Sequence, residues 1–447
     1  MALTRLPAAS LLFSLAAVSL GQPPAPPPSA PAVLPFLEDD YGKALTEARS
    51  RKLPIFAEAW APWCHTCRSM RAFVFTDKAL ASRAEQFVWL SIDTEKKDNA
   101  PFLTKYPVEA WPSFFVIDPT AEKAVLRWVG GATVAQLEKL LDEGKRPARR
   151  SGSGADAILA AADRFYGEEK NAEAAAAYRE ALEKAPAGWK PYARAVESLL
   201  FALQRLDEKV ACAELAREAF PKLSGTPSAA NVAASGLGCA LDLKTVDPAR
   251  PGLVAALTID AQGVLEGPRP DLAADDISSL YGTLADERES AGDQAGRRAV
   301  LEQWSAFLEG QAAKAGTPAA RAVFDSHRLS VYIALGEPEK AIPMLRASKK
   351  DFPDDYNPSA RLALAYEAMK DYAQALMASD AALQKSYGPR KITILVVRSR
   401  IHQEEGDRVS ARIAMEEAIR EAEALPEGQR SEGQIASLKK KLAELPS

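Results

Sequence analysis

A chain of 447 residues with 47% hydrophobic content can bury a sizeable core and has the length of two or three domains. Its formal net charge of −4 lacks the basic excess that a phosphate backbone demands, so a nucleic-acid-binding surface is not expected. Four cysteines over this length do not make a structural disulfide framework.

In chain order, Met1–Arg5 carries one positive charge, residues 6–20 ("LPAASLLFSLAAVSL") are an apolar core, and Ser19 and Gly21 place small side chains before Gln22. This reads as a secretory signal peptide over residues 1–21. The apolar run is short for a membrane span, although retention as an anchor stays open. The expectation is an exported protein, periplasmic or extracellular, with no membrane span once the signal is cleaved. Residues 22–36 are dense in proline and read as an extended linker rather than a folded element.

From residue 37 to 147 the pattern alternates. Residues 38–52 are helical in period, 53–60 suit a buried strand, 76–86 are helical, and 87–93 are strand-like. Residues 99–106 suit a short helix. "SFFVID" (113–118) and "AVLRWV" (124–129) read as a hairpin turning through Asp118-Pro119, and 133–144 closes with an amphipathic helix. Such alternation indicates an α/β domain with a mixed sheet. Residues 148–155, rich in Gly and Ser, read as a flexible linker.

Beyond it, residues 156–447 are Ala-rich and helical in period. Small or aromatic residues recur at Ala162, Phe165, Ala174, Tyr178 and Ala181, followed by Pro186. Ala216 and Pro221 repeat the slots, as do Tyr332, Ala341 and Pro353, then Ala363, Tyr366, Ala375 and Ala382, and more weakly Ala411, Met415 and Ala418. The spacing resembles the tetratricopeptide repeat of about 34 residues, which implies an all-α solenoid. Residues 224–320 read as diverged repeats with longer loops, and 431–445 as a capping helix. Asp163, Tyr166, Leu364, Glu367 and Arg400 are candidates for an inner, partner-binding face. No particular protein partner follows from them.

The chemistry concentrates in "WAPWCHTC", residues 60–67. Its spacing allows a thiol redox pair, half of a zinc site, or two small core residues. Where a strand hands over to a helix, the first sulfur of a Cys-x-x-Cys meets free backbone N–H groups that favour a thiolate. Cys64 is then the nucleophile, and Cys67, one turn in, the resolving thiol.

These residues resemble the Trp-Ala-x-Trp-Cys-x-x-Cys of the thioredoxin fold, and "VEAWPSFFVID" (108–118) resembles the segment that carries the family's cis-proline. The spacing is especially similar to the periplasmic C-terminal domain of transmembrane disulfide reductases. The resemblance implies that Pro112 is the cis-proline and that Glu58 is a buried acid exchanging a proton with Cys67. It also implies that Trp63, His65 and Trp111 line the substrate site. Trp111 stands where the family usually has a smaller side chain, and Glu58 where it more often has Asp. Left to its own residues, Glu58 has a solvent-facing strand position as its alternative reading. "WCHTC" also resembles a thioredoxin-like family fused to a helical barrel, but Arg68 follows where that family has His.

A zinc site is not expected, because a single Cys-x-x-Cys supplies two of four ligands, and His327 and His402 lack metal-like spacing. Cys212 and Cys239 are expected as buried small residues rather than as a disulfide. The expected function is thiol–disulfide exchange with protein dithiols or disulfides, needing no metal or organic cofactor, with the repeats recruiting a protein. The alternative is an envelope scaffold carrying a structural thioredoxin-like module. Electron direction is not legible.

Overall fold

Strand Ile55–Trp60 shows why this sequence makes a two-faced sheet. Phe56 points into a cluster with Met70, Phe75, Trp89, Phe114, Trp128 and Leu137. Ile55, Ala57 and Ala59 point the other way, into Ala44, Ala48, Leu90, Ile92 and Phe102. A strand buried on both faces must sit in the middle of a covered sheet. In a computed structural model that describes residues 33–145, 154–268 and 272–445, it does. The strands are β1 (Leu37–Glu38), β2 (Ile55–Trp60), β3 (Val88–Asp93), β4 (Ser113–Asp118) and β5 (Lys123–Val129), in the order β1-β3-β2-β4-β5. Strands β1, β3 and β2 run parallel, while β4 and β5 are antiparallel to their neighbours. Helices α1 (Tyr41–Arg51), α2 (His65–Ser69), α3 (Ala100–Lys105) and α4 (Val134–Lys145) complete the domain. Helix α2 runs directly into a π-helical turn over Met70–Val74.

The expected signal peptide (1–21), most of the proline-rich linker, and most of the 148–155 linker lie outside the described residues. Among the described residues no helix is long and apolar enough to cross a membrane.

The remainder is helical: α5 (Ala155–Gly167), α6 (Asn171–Glu183), α7 (Tyr192–Arg205), α8 (Lys209–Leu223), α9 (Ala229–Leu241), α10 (Arg250–Glu266), α11 (Ala274–Ser290) and α12 (Gln294–Lys314). There follow α13 (Pro318–Ala322), α14 (Asp325–Leu335), α15 (Ala341–Asp351), α16 (Asn357–Ala368), α17 (Tyr372–Leu383), α18 (Gly388–Glu405), α19 (Arg408–Glu423) and α20 (Glu432–Glu444). Ala162, Ala174 and Ala181 are fully buried. Such small side chains let paired helices approach closely.

One expectation is corrected here: Cys212 and Cys239 form a disulfide. The reason is Gly236 in α9, where an added Cβ would lie 2.3 Å from the Cβ of Ala216 in α8. This close approach brings the two cysteines face to face, with Cα atoms 6.1 Å apart. Nothing in their separate helical patterns records the pairing.

The array packs on the α/β domain along its length, and Val33–Ser447 is one compact unit. Arg127 donates to the Tyr166 carbonyl at 3.0 Å, and Arg194 pairs with Glu143 of α4 at 2.6 Å. Tyr387 donates to Asp93 at 2.6 Å, and Gln429 to the Thr94 carbonyl at 2.7 Å. A second expectation therefore changes. Asp163 and Tyr166 do not face an open groove: Asp163 is buried against Arg194 and Tyr178, and Tyr166 lies under the Arg127 guanidinium. Glu367 is buried and paired with Arg400 at 2.6 Å, and Leu364 is half-buried.

Candidate active site

Residues 61–64 turn the chain from β2 into α2, with the Cys64 N–H donating to the Ala61 carbonyl at 3.1 Å. Cys64 is the N-cap of α2. Its backbone is extended, and its Sγ accepts the N–H of Cys67 at 3.0 Å. A helix N-terminus leaves such donors without intrahelical partners, and one of them is aimed at the leading sulfur. Cys64 and Cys67 are joined as a disulfide, Cα atoms 5.3 Å apart. They are 4% and 0% exposed. Trp60, Trp63 and Trp111 pack around them.

Trp63 and Trp111 meet edge to face, ring centroids 5.1 Å apart. Each indole is fixed by its N–H: Trp63 donates to Glu95 at 2.8 Å and Trp111 to Thr94 at 2.8 Å. The Trp111–Pro112 peptide is cis. Pro112 begins the turn into β4, and its carbonyl accepts the Gly130 N–H at 2.9 Å.

Glu58 sits mid-sheet, opposite Ser91 on β3 and Phe114 on β4. It is fully buried. One carboxylate oxygen accepts from Arg71 Nε at 3.2 Å, and the other has no partner. Burial raises its pKa to about 7, against the opposing pull of the Arg71 charge. Arg71 lies 3.6 Å over the Trp60 ring. A guanidinium prefers such an aromatic face.

His65 leaves the motif in the opposite direction, toward the array. Its Nδ1 is 2.6 Å from Asp275 Oδ1 on α11, and Thr66 Oγ1 donates to Asp275 Oδ2 at 2.5 Å. The His65 ring also meets that of His327 on α14, centroids 3.9 Å apart. Burial disfavours the Asp275 carboxylate. His65, His327 and the Thr66 hydroxyl outweigh that cost and hold its pKa below the ordinary range. Farther along, Arg68 donates to the Pro62 carbonyl at 2.7 Å and forms an ion pair with Asp355. Asn357 donates to the same Pro62 carbonyl at 3.2 Å, and Arg390 lies 5.4 Å from the Trp63 ring centroid.

The fold thus gathers Cys64, Cys67, Trp63, Trp111 and Pro112 at one end of the sheet, with Glu58 in its interior and His65 turned to the array. Sequence reasoning missed Arg71, which lies one helical turn beyond Cys67 and is recognisable only once Glu58 is known to be buried. It also missed Asp275, Asp355, Asn357 and Arg390, and it set His327 aside for want of metal-like spacing. These lie more than 200 residues from the motif and carry no local signal. Among the described residues, His65, Asp275 and His327 bring metal-type ligand atoms together, all within 4.8 Å of one another.

The site and sheet define the class: a thioredoxin-like domain followed by a helical array of tetratricopeptide type. Residues 37–119 match the family model described as thioredoxin-like. No curated protein matches the chain. Among solved structures, a tetratricopeptide repeat protein from Parabacteroides merdae is similar at 12% identity and a TM-score of 0.43, covering 65% of this chain and 100% of its own. A Rap protein complexed with competence and sporulation factor is similar at 13% identity and a TM-score of 0.36, covering 69% and 81%. The TPR2AB-domain:pHSP90 complex of yeast Sti1 is similar at 14% identity and a TM-score of 0.23, covering 65% and 98%.

Proposed function

We propose that the protein is an exported thiol–disulfide oxidoreductase acting on protein dithiols or disulfides through Cys64 and Cys67. The observation that carries this reading is the Cys67 N–H donated to Cys64 Sγ at 3.0 Å. A donor so placed stabilises negative charge on that sulfur, and the thiolate is the nucleophile in disulfide exchange. In the reducing direction, the Cys64 thiolate attacks a substrate disulfide, forms a mixed disulfide and releases one substrate thiolate. Cys67 then loses its proton, attacks Cys64 Sγ and releases the second. Two enzyme thiols become a disulfide as one substrate disulfide becomes two thiols, and the oxidising direction reverses the same steps. Glu58, with a pKa of about 7, suits the exchange of the Cys67 proton.

The array is the proposed protein-recognition part. Asp275, Asp355 and Asn357 hold the motif from outside, so the array also controls access to it. Between α2 and the array lies a cavity of about 530 Å³ lined by Thr66, Met70, Phe73, Gly131, Ala274 and Phe324. The Cys212–Cys239 disulfide supports an oxidising compartment, periplasmic or extracellular.

A second reading, a scaffold whose redox module is structural, is favoured by one observation: neither cysteine is more than 4% exposed. Trapping separates the two. Cys67→Ser should accumulate exported proteins disulfide-linked through Cys64, and the wild type should reduce insulin. No adduct and no reduction would leave the scaffold.

A further inference from the structure

We propose that His65, Asp275 and His327 form a binding site for a divalent transition-metal ion of the zinc class, which clamps the redox motif to the helical array. The site does not rest on the redox reading.

The chain has three histidines. Two of them, 262 residues apart in sequence, meet ring to ring at 3.9 Å. Beside them stands the carboxylate of Asp275, a residue only 6% exposed. Two imidazoles and a carboxylate, leaving one position open, are a ligand set that zinc favours.

The groups behind these ligands are those a metal site requires, since outer-shell partners fix the ring orientation and carboxylate of each ligand. His327 Nδ1 lies 2.6 Å from Ser278 Oγ, which leaves Nε2 for the metal. Ser278 is itself held by the Trp304 N–H at 2.7 Å. Asp275 Oδ2 is occupied by Thr66, which leaves Oδ1. His65 Nδ1 now lies 2.6 Å from that oxygen. Tetrahedral ligands at about 2.0–2.1 Å from zinc stand about 3.3 Å apart, so the pair must open by less than about 1 Å. The His65 side chain, 29% exposed, has room to move.

The consequence is mechanical. His65 belongs to α2, Asp275 to α11 and His327 to α14, so one ion would tie the active-site helix to two helices of the array.

The test uses the full chain, stripped with chelator and kept oxidised so that the cysteines offer no thiolates. Calorimetric titration with zinc chloride should give one equivalent per chain, and cobalt(II) should give tetrahedral absorption bands. In the proton NMR spectrum, zinc should shift the ring signals of two of the three histidines and leave His402 unmoved. His327→Gln and Asp275→Asn should each weaken zinc at least about tenfold, and His402→Gln should not. Absence of stoichiometric binding to the wild type would overturn the site even if the variants fail to fold. So would unchanged affinity in folded His327→Gln, or a shift confined to His402.

Discussion

The backbone of Gly388 lies against the carbonyl of Glu95: a Cβ added at Gly388 would stand 1.9 Å from that oxygen, and its φ of +57° already suits glycine. Two residues on, the Arg390 N–H donates to the Glu95 carboxylate, whose other oxygen holds Trp63 beside Cys64. The array therefore reaches the redox motif through a contact only glycine permits. Gly388→Ala should lift this edge and expose the disulfide. A docking loss of about 1.4 kcal/mol corresponds to a tenfold larger exposed population. Reduction by limiting phosphine, followed by alkylation and mass spectrometry, should be faster by about that factor. An unchanged rate would mean that this contact does not govern access.

Arg68 argues for the same closure from the motif's other flank. It bonds the Pro62 carbonyl and pairs with Asp355, both side chains largely buried. Hydrogen bonds to charged groups contribute about 1.5–3 kcal/mol, so Arg68→Ala should destabilise the chain by roughly that amount in denaturant unfolding. It should also speed disulfide reduction. Arg68→Lys should recover little, since a lysine cannot reach both partners with a planar fork. Full recovery by Lys would show that charge alone matters.

Much of the fold was legible because its signals are local. The apolar run of β2 and the Cys-x-x-Cys at a strand-to-helix junction each follow from a few neighbouring residues, and so does the Ala/Tyr spacing of α5 and α6. What escaped is what folding assembles from afar. Asp275 and His327 read as ordinary helical residues until α11 and α14 close on α2. Asp163 and Tyr166 read as candidates for an open inner face because helical period records which residues share a stripe, not what covers it. Here Arg127 of the chain's own thioredoxin-like domain covers Tyr166, and Tyr178 and Arg194 of neighbouring array helices cover Asp163.

The Cys212–Cys239 bridge closes a loop of 27 residues between α8 and α9. Chain-entropy reasoning gives such a cross-link about 3.5 kcal/mol. Replacing both cysteines by serine should cost about that much in urea unfolding under oxidising conditions, while leaving the reactivity of Cys64 unchanged. Equal stability of the variant and the oxidised wild type would show that helix packing alone already fixes α9 on α8.

Glu58 supplies a pH dependence whose sign is fixed. Its folded pKa of about 7 lies above the ordinary 4.5, so the folded state keeps a proton that the unfolded chain releases. This preference stabilises the fold in full below pH 4.5 and is lost as pH rises to about 7. Between those limits the wild type should lose on the order of 3 kcal/mol more than Glu58→Gln, since each tenfold change in proton affinity is worth about 1.4 kcal/mol. Glu95 and Glu197 are raised to about 7 as well, but both proteins share their slope, so the difference isolates Glu58. Insulin reduction by the wild type should rise with an inflection near pH 7, where Glu58 becomes able to take the Cys67 proton, and Glu58→Gln should lack that inflection. A constant stability difference across the range would mean that the carboxyl is ionised throughout, with Arg71 outweighing burial, and its part in resolution would fall with it.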